Sequence, residues 1–296
     1  MKAWLDLIRW PNLILILVAH ILFRFSFLTS FNIVSHLSLI DFILLSFTIV
    51  LVAISGNIIN DIYDIKTDFI NKRLRPIAQQ KINISQAYLV YVLINITSII
   101  LATYLSFKHE IWYLVGVEIS VIILLFSYSK TFKKIPVLGN IIVSFLVSLA
   151  FVLVIIVDSD FKVFKIIQAQ QWLIFYTVFA FWANFNRELI KDVIDIKGDY
   201  AQNISTLPIV LGKSRMNTII FFSTLILMLT LLYGVKVFLE AKPIFIIYFI
   251  FGIGVPLIAI LYKIWKREMK VNYKLLSNIY KFVLLSGLCS LILFSL

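Results

Sequence analysis

Nine runs of roughly 17–25 apolar residues follow one another along the chain, at about 12–30, 38–59, 84–106, 111–128, 135–157, 171–190, 217–238, 243–263 and 276–295. Each run is long enough to cross the hydrocarbon of a bilayer as a helix, which satisfies its own backbone hydrogen bonds where no water is present. With 61% hydrophobic residues, a mean hydropathy of +1.01 and 14% charged residues, against about 25% in average soluble domains, a water-soluble globule is excluded. The connections are short, so the expectation is an all-α, polytopic membrane protein forming one domain over residues 1–296, with nine transmembrane helices, enough to enclose a central cavity.

The first run is preceded by a few basic residues, as a secretory signal is. However, "HILFRFSFLTSFN" offers no small-x-small cleavage site and Arg24 interrupts the run, so a retained first helix is expected. Cys289 is the only cysteine, which excludes an internal disulfide and a cysteine-based metal site.

A net charge of +12 could suit nucleic acid, but its distribution suits a membrane surface. Alternating the nine runs across a bilayer puts twenty Lys and Arg on one side and six on the other. Basic residues accumulate on the cytoplasmic side, so the N-terminus is expected inside and the C-terminus outside a bacterial or archaeal-type cell membrane. The basic side would favour anionic headgroups. Nothing in the sequence calls for an obligatory protein partner.

Two acidic octads stand out against this apolar background: "DIYDIKTD" from Asp61 to Asp68 and "DVIDIKGD" from Asp192 to Asp199. They match at five of eight positions and hold six of the ten aspartates. Each follows the end of an apolar run, the second and the sixth, so an even offset of four helices returns both to one membrane face. On a helix, positions i, i+3 and i+7 fall within about 60° of one another and spread over roughly 10 Å. Asp61, Asp64 and Asp68 therefore share a face, as do Asp192, Asp195 and Asp199, with Asn57 and Glu188 one turn upstream.

Stacked carboxylates repel, and a divalent cation resolves that repulsion. Oxygen-only ligands suit Mg²⁺, which uses one or two carboxylates together with substrate phosphate oxygens. The three histidines, His20, His36 and His109, are scattered in sequence and unrelated to the octads. Two facing acidic columns could hold two metals with a polyphosphate between them. Basic residues for the phosphates lie in the adjoining loops: Lys72, Arg73 and Arg75 in "NKRLRP", Lys130, Lys133 and Lys134 in "YSKTFKK", and Arg187 and Lys191 ahead of the second octad. A cation transporter would also carry internal repeats and intramembrane acids. Here the acids gather at one face among basic residues that would repel a cation. A noncatalytic lipid-binding protein would have no need of two acidic columns.

These residues resemble the UbiA superfamily of intramembrane prenyltransferases. Its motif N-D-x-x-D-x-x-x-D is met by Asn60, Asp61, Asp64 and Asp68, and its D-x-x-x-D by Asp195 and Asp199, with Asp192 one turn earlier. The resemblance implies a nine-helix fold and a Mg²⁺ site drawn from Asn57, Asn60, Asp61, Asp64, Asp68, Glu188, Asp192, Asp195 and Asp199. Asp64, Asp68, Asp195 and Asp199 would be the catalytic acids, and Arg75, Lys133, Lys72, Arg73, Arg187 and Lys191 would bind diphosphate. It further implies transfer of a prenyl group from its diphosphate to a membrane-associated acceptor, as in lipid and isoprenoid biosynthesis. "RELIKDVIDIKGDY", "STLPIVLGKSR" and "YSKTFKKIPVLGN" resemble the branch that acts on geranylgeranylglycerol phosphate. That branch implies a geranylgeranyl-like donor and a prenylglycerol phosphate acceptor, and the alternative is an aromatic acceptor of quinone biosynthesis. The first loop departs from the family's N-R-P-x-R-P-I-P-S-G: it reads "NKRLRPIAQQ", keeping Arg75 and Pro76 but placing Arg73, Gln79 and Gln80 where relatives have proline and small residues.

Overall fold

The computed structural model describes residues 2–237, 243–265 and 271–295. The basic stretch 266–270, which contributed to the charge count above, lies outside them. Among the described residues the regular structure is helical, and eight helices are long and apolar enough to cross a membrane. The protein is therefore a multi-pass integral membrane protein. Nine such runs were expected. The sixth lies within a helix of 35 residues, long enough at about 1.5 Å per residue. Its polar residues, Asn184, Asn186, Arg187 and Glu188 among them, lower its apolar content below that of a bilayer-crossing run.

In chain order the helices are α1 (Lys2–Ile8), α2 (Trp10–Leu22, continued by a π-helical turn Phe23–Leu28), α3 (Leu39–Tyr63) and α4 (Ile65–Ile70). They are followed by α5 (Ile84–His109), α6 (Tyr113–Lys130), α7 (Leu138–Ser159), α8 (Ile167–Ala201) and α9 (Leu207–Leu211). The series closes with α10 (Lys213–Val237), α11 (Pro243–Tyr248), α12 (Val255–Trp265) and α13 (Tyr273–Cys289). Backbone contacts divide the chain into two compact units, each assembled from separate stretches.

The first unit comprises Met1–His20, Ser35–Gly139 and Lys197–Ser205. Ser38 caps α3, its Oγ accepting from the Asp41 amide at 3.2 Å and donating to Asp41 Oδ2 at 2.7 Å. Asn83 caps α5 by accepting from the Ser85 amide at 3.0 Å. Between those caps α3 is filled with Ile, Leu and Val, and Gly56 lets α6 approach: a Cβ there would sit 3.0 Å from Leu125 Cδ2. At the octad end, Leu7, Ile58, Ile59, Ile62, Ile77 and Ile82 form a buried cluster. Burying Ile77 and Ile82 ties the loop after α4 down onto the helices. At the opposite end, Asp41 accepts from Lys108 Nζ at 2.8 Å and lies 3.1 Å from His109 Nε2. The His36 and His109 rings meet at 5.4 Å, so two of the three histidines are neighbours rather than scattered, because α3 begins where α5 ends. They remain far along α3 from the octads.

The second unit comprises Ile21–Val34, Asn140–Ile196 and Thr206–Leu296. Arg24, which breaks the first apolar run, is buried and donates to the buried Asp158 at 3.2 Å. Pairing is what permits either charge at membrane depth. An aromatic cluster fills the unit: Trp172 stacks on Tyr176 at 5.9 Å and packs against Phe245 and Phe294 at 5.3 and 5.0 Å. Tyr176 and Tyr280 find hydroxyl partners in Ser290 at 2.7 Å and Thr224 at 2.5 Å, as polar atoms inside a membrane must.

Candidate active site

The first octad does not run as one unbroken helix. α3 ends at Tyr63, and Asp64 adopts a capping conformation (φ −94°, ψ 3°) before α4 begins. The hydrogen-bond pattern nevertheless carries through, with the Asp64 amide on Asn60 O at 2.9 Å and the Asp68 amide on Asp64 O at 2.8 Å. The three aspartates therefore still follow one another at helical spacing.

Each acid has its own cation. Arg9 donates to Asp61 Oδ1 at 2.7 Å, and Arg75 Nε lies 3.9 Å from Asp61 Oδ2. Lys133 reaches Asp64 Oδ1 at 2.6 Å, while the Asn60 amide donates to Asp64 Oδ2 at 2.8 Å. Lys133 Nζ also lies 6.0 Å from the centre of the Tyr63 ring. Arg73 stands 3.6 Å from Asp68. Asp61 and Asp68 are 1% and 3% exposed, so these are charges withdrawn from water among a matching set of guanidinium and ammonium groups. Burial, reinforced by the charges of Asp64 and Asp61, pushes the Asp68 carboxyl up to about 6 against the pull of Arg73 and Arg75. Burial and the neighbouring Arg9 lower the Arg75 guanidinium from its ordinary value.

The second octad lies on α8. Glu188 pairs with Lys191 at 2.5 Å and with Arg187 at 3.9 Å, and Asp192 accepts from the Asn140 amide at 2.9 Å. Asp195 is half-buried and Asp199 is buried. The last residues of this octad belong to the first unit, where they meet the first octad directly. The Gly198 amide donates to Asn71 Oδ1 at 2.9 Å. A Cβ on Gly198 would lie 2.4 Å from Asn71 Nδ2 and 2.8 Å from Thr67 O. Thr67 and Gly198 hold the same place in their octads, so the two motifs touch at corresponding positions, and only glycine fits there.

Some residues singled out from the sequence serve other neighbours. Asn57 donates to Ile8 O at 3.0 Å, fastening α1 to α3. Lys72, Lys130 and Lys134 are exposed, with Lys130 Nζ 5.8 Å from the Phe126 ring centre. Sequence reasoning missed Arg9, Asn71, Gly198 and Asn140. The one available signal was the glycine standing in the second octad where the first has threonine.

Among the described residues, no three His, Cys, Asp or Glu side chains are gathered so as to hold a metal. The oxygen chemistry does fit a hard cation. Asp61 Oδ2, with Arg75 Nε 3.9 Å away, and Asn60 Oδ1 are buried and accept no hydrogen bond, which is costly for a carboxylate and an amide oxygen.

The sequence pattern of the UbiA prenyltransferase family matches residues 25–285. The digeranylgeranylglyceryl phosphate synthase of Methanococcus maripaludis strain C6 is 32% identical over 203 residues, covering 67% of this chain and 68% of that protein. A solved structure of a digeranylgeranylglyceryl phosphate synthase in membranes superposes with a TM-score of 0.66 at 23% identity, over 98% of each chain. A UbiA homologue from Archaeoglobus fulgidus, solved with GPP and Mg²⁺, gives a TM-score of 0.57 at 19% identity, over 98% of this chain and 99% of that one.

Proposed function

The chain belongs to the UbiA prenyltransferase family and is a prenyltransferase, and from that premise we propose that it transfers a geranylgeranyl-like group from its diphosphate to a prenylglycerol phosphate in a Mg²⁺-dependent reaction. The observation that carries this reading is the contact of the two octads in one unit, Gly198 against Thr67 of the first octad and on Asn71 just beyond it, beside the first octad's carboxylates and their cations.

Asn60, Asp61, Asp64 and Asp68 of the first octad, with Asp199 of the second in the same unit, would hold the metal. Bound there, Mg²⁺ would offset the negative charge of a departing diphosphate. The chain's own cations extend that role. Arg75 presents a fork suited to phosphate oxygens, and Lys133 a compact charge next to Asp64. Arg9, in the turn after α1, holds Asp61 in place. Loss of diphosphate leaves an allylic cation, and the apolar helix walls would exclude water that would otherwise quench it. The acceptor hydroxyl then forms the new C–O bond and gives up its proton, for which a carboxylate of the octads would serve as base.

The acceptor assignment rests on two supports. The first is the similarity to the Methanococcus synthase. The second is charge beyond the acids' own partners: Lys72, Lys130 and Lys134 are exposed in the loops around the octads, where a second phosphate would need them. The charge asymmetry of the chain supports a cytoplasmic placement of these loops. Crossing prenyl diphosphates of several lengths with prenylglycerol phosphates and with hydroxybenzoate or naphthoate acceptors tests the assignment. Transfer to the aromatic acceptors with none to prenylglycerol phosphates would replace it with the quinone reading.

A further inference from the structure

Behind the first octad the first unit carries a groove of about 630 Å³ that the transfer reaction does not use. Its floor is apolar and packed: Ile77 and Ile82 are 3% and 4% exposed and belong to the buried cluster at this end of the unit. Ile65 and Phe69 form one wall. These two residues directly follow Asp64 and Asp68, and one helical residue turns the side chain by about 100°, so the groove looks away from the acids. The other side is polar, with Lys66, Asn83 and Gln202.

The groove lies at a defined depth. Ile65 comes two residues after the end of α3, Ile84 begins α5, and Gln202 follows the end of α8. It therefore sits where spanning helices leave the hydrocarbon, at the level of lipid headgroups. Phe69 is 74% exposed beside it, a large apolar surface for that depth. Lys66 is exposed and, among the described residues of the lining, is the only charged one, none of them being a carboxylate. Exposed Lys81, between the lining residues Gln80 and Ile82, adds to the positive field.

We infer that this groove binds an anionic phospholipid of the same leaflet, its phosphate on Lys66 and the amides and its upper acyl chain along Ile65, Phe69 and Ile77. A zwitterionic headgroup would bring a cation for which the lining offers no acid. A prenylglycerol phosphate seated here would face away from the octads and could not react. A lipid in this position braces α4, whose other face carries Asp68, and the loop holding Arg73 and Arg75. Transfer should therefore rise with the anionic lipid content of the bilayer.

The test uses the full chain with Phe69→Trp, an exposed site, in bilayers containing brominated phosphatidylglycerol or brominated phosphatidylcholine. Quenching beyond that of the parent protein reports lipid at the groove without reference to activity. The phosphatidylglycerol should be preferred by about fivefold, the effect of one lysine at an anionic surface. Adding Lys66→Glu should remove the preference. In parallel, phosphatidylglycerol should stimulate prenyl transfer by the parent protein, while Lys66→Glu keeps the rate seen in phosphatidylcholine and loses the stimulation. Equal quenching by the two lipids would overturn the inference. So would relief of the quenching by added prenylglycerol phosphate, which would make the groove an acceptor site. Because quenching is read without turnover, a failure of the transferase assignment would leave this result standing.

Discussion

Replacing Gly198 by alanine tests whether contact between the octads is needed for transfer. The added methyl carbon would lie 2.4 Å from Asn71 Nδ2 and 2.8 Å from Thr67 O. The Asn71 side chain can rotate away, but doing so removes the hydrogen bond that it accepts from the Gly198 amide. Thr67 O is backbone within α4 and cannot move without shifting Asp68. Overpacking and the lost hydrogen bond together cost about 2–4 kcal/mol, which converts to a fall of about 30- to 1,000-fold in kcat/KM if docked octads are required. The assay is transfer of a labelled prenyl group in proteoliposomes, with thermal unfolding in detergent to establish that the variant is folded. Gly116→Ala is the control: nothing lies within 4 Å of its Cβ and it sits inside α6, where alanine favours the helix. Asn71→Ala removes the acceptor without adding bulk and should lose about tenfold. If Gly198→Ala transfers within about twofold of the parent, octad contact is not part of the active arrangement and the reasoning from it fails.

Asp64→Ala and Asp195→Ala should each abolish transfer in folded protein, because each removes a proposed metal ligand; chelation should silence the parent and Mg²⁺ restore it, and full activity in excess chelator would refute a metal role. The raised Asp68 carboxyl, at about 6, makes Mg²⁺ compete with a proton below that pH, so the Mg²⁺ concentration for half-maximal rate should climb as pH falls from 7 to 5. In metal-free protein the sign reverses for stability: a carboxyl whose folded value exceeds its unfolded one favours the fold at low pH and loses that contribution as pH rises through about 6, so Asp68→Asn should raise the melting temperature at pH 7 and change it little at pH 4. In a Cys289→Ser background, single cysteines at 72, 133 and 202 should label from the cytoplasm and those at 108 and 160 from outside; external labelling at 72 would invert the proposed orientation.

The membrane class of this protein is legible in its composition, since runs of about twenty apolar residues have few other solutions in water or lipid. The acidic octads are legible for a related reason: carboxylates are costly at the edge of a bilayer, so a duplicated set stands out from an apolar chain. Their loop cations could be listed as well, but not assigned. That Lys133 serves Asp64 and Arg73 serves Asp68 depends on which loops fold over which helix ends. Arg9 was invisible as a site residue, because a single arginine in the turn after a short helix carries no pattern, and only the packing of α1 on α3 brings it to Asp61. Arg24 read as a flaw in the first span until folding brought Asp158 to it across 134 positions of sequence. Gly198 and Thr67 occupy the same place in their octads, and the sequence shows that much. That they meet, so closely that one of them can have no side chain, was decided by tertiary structure, because distance between segments far apart in a chain is set by packing and not by local pattern.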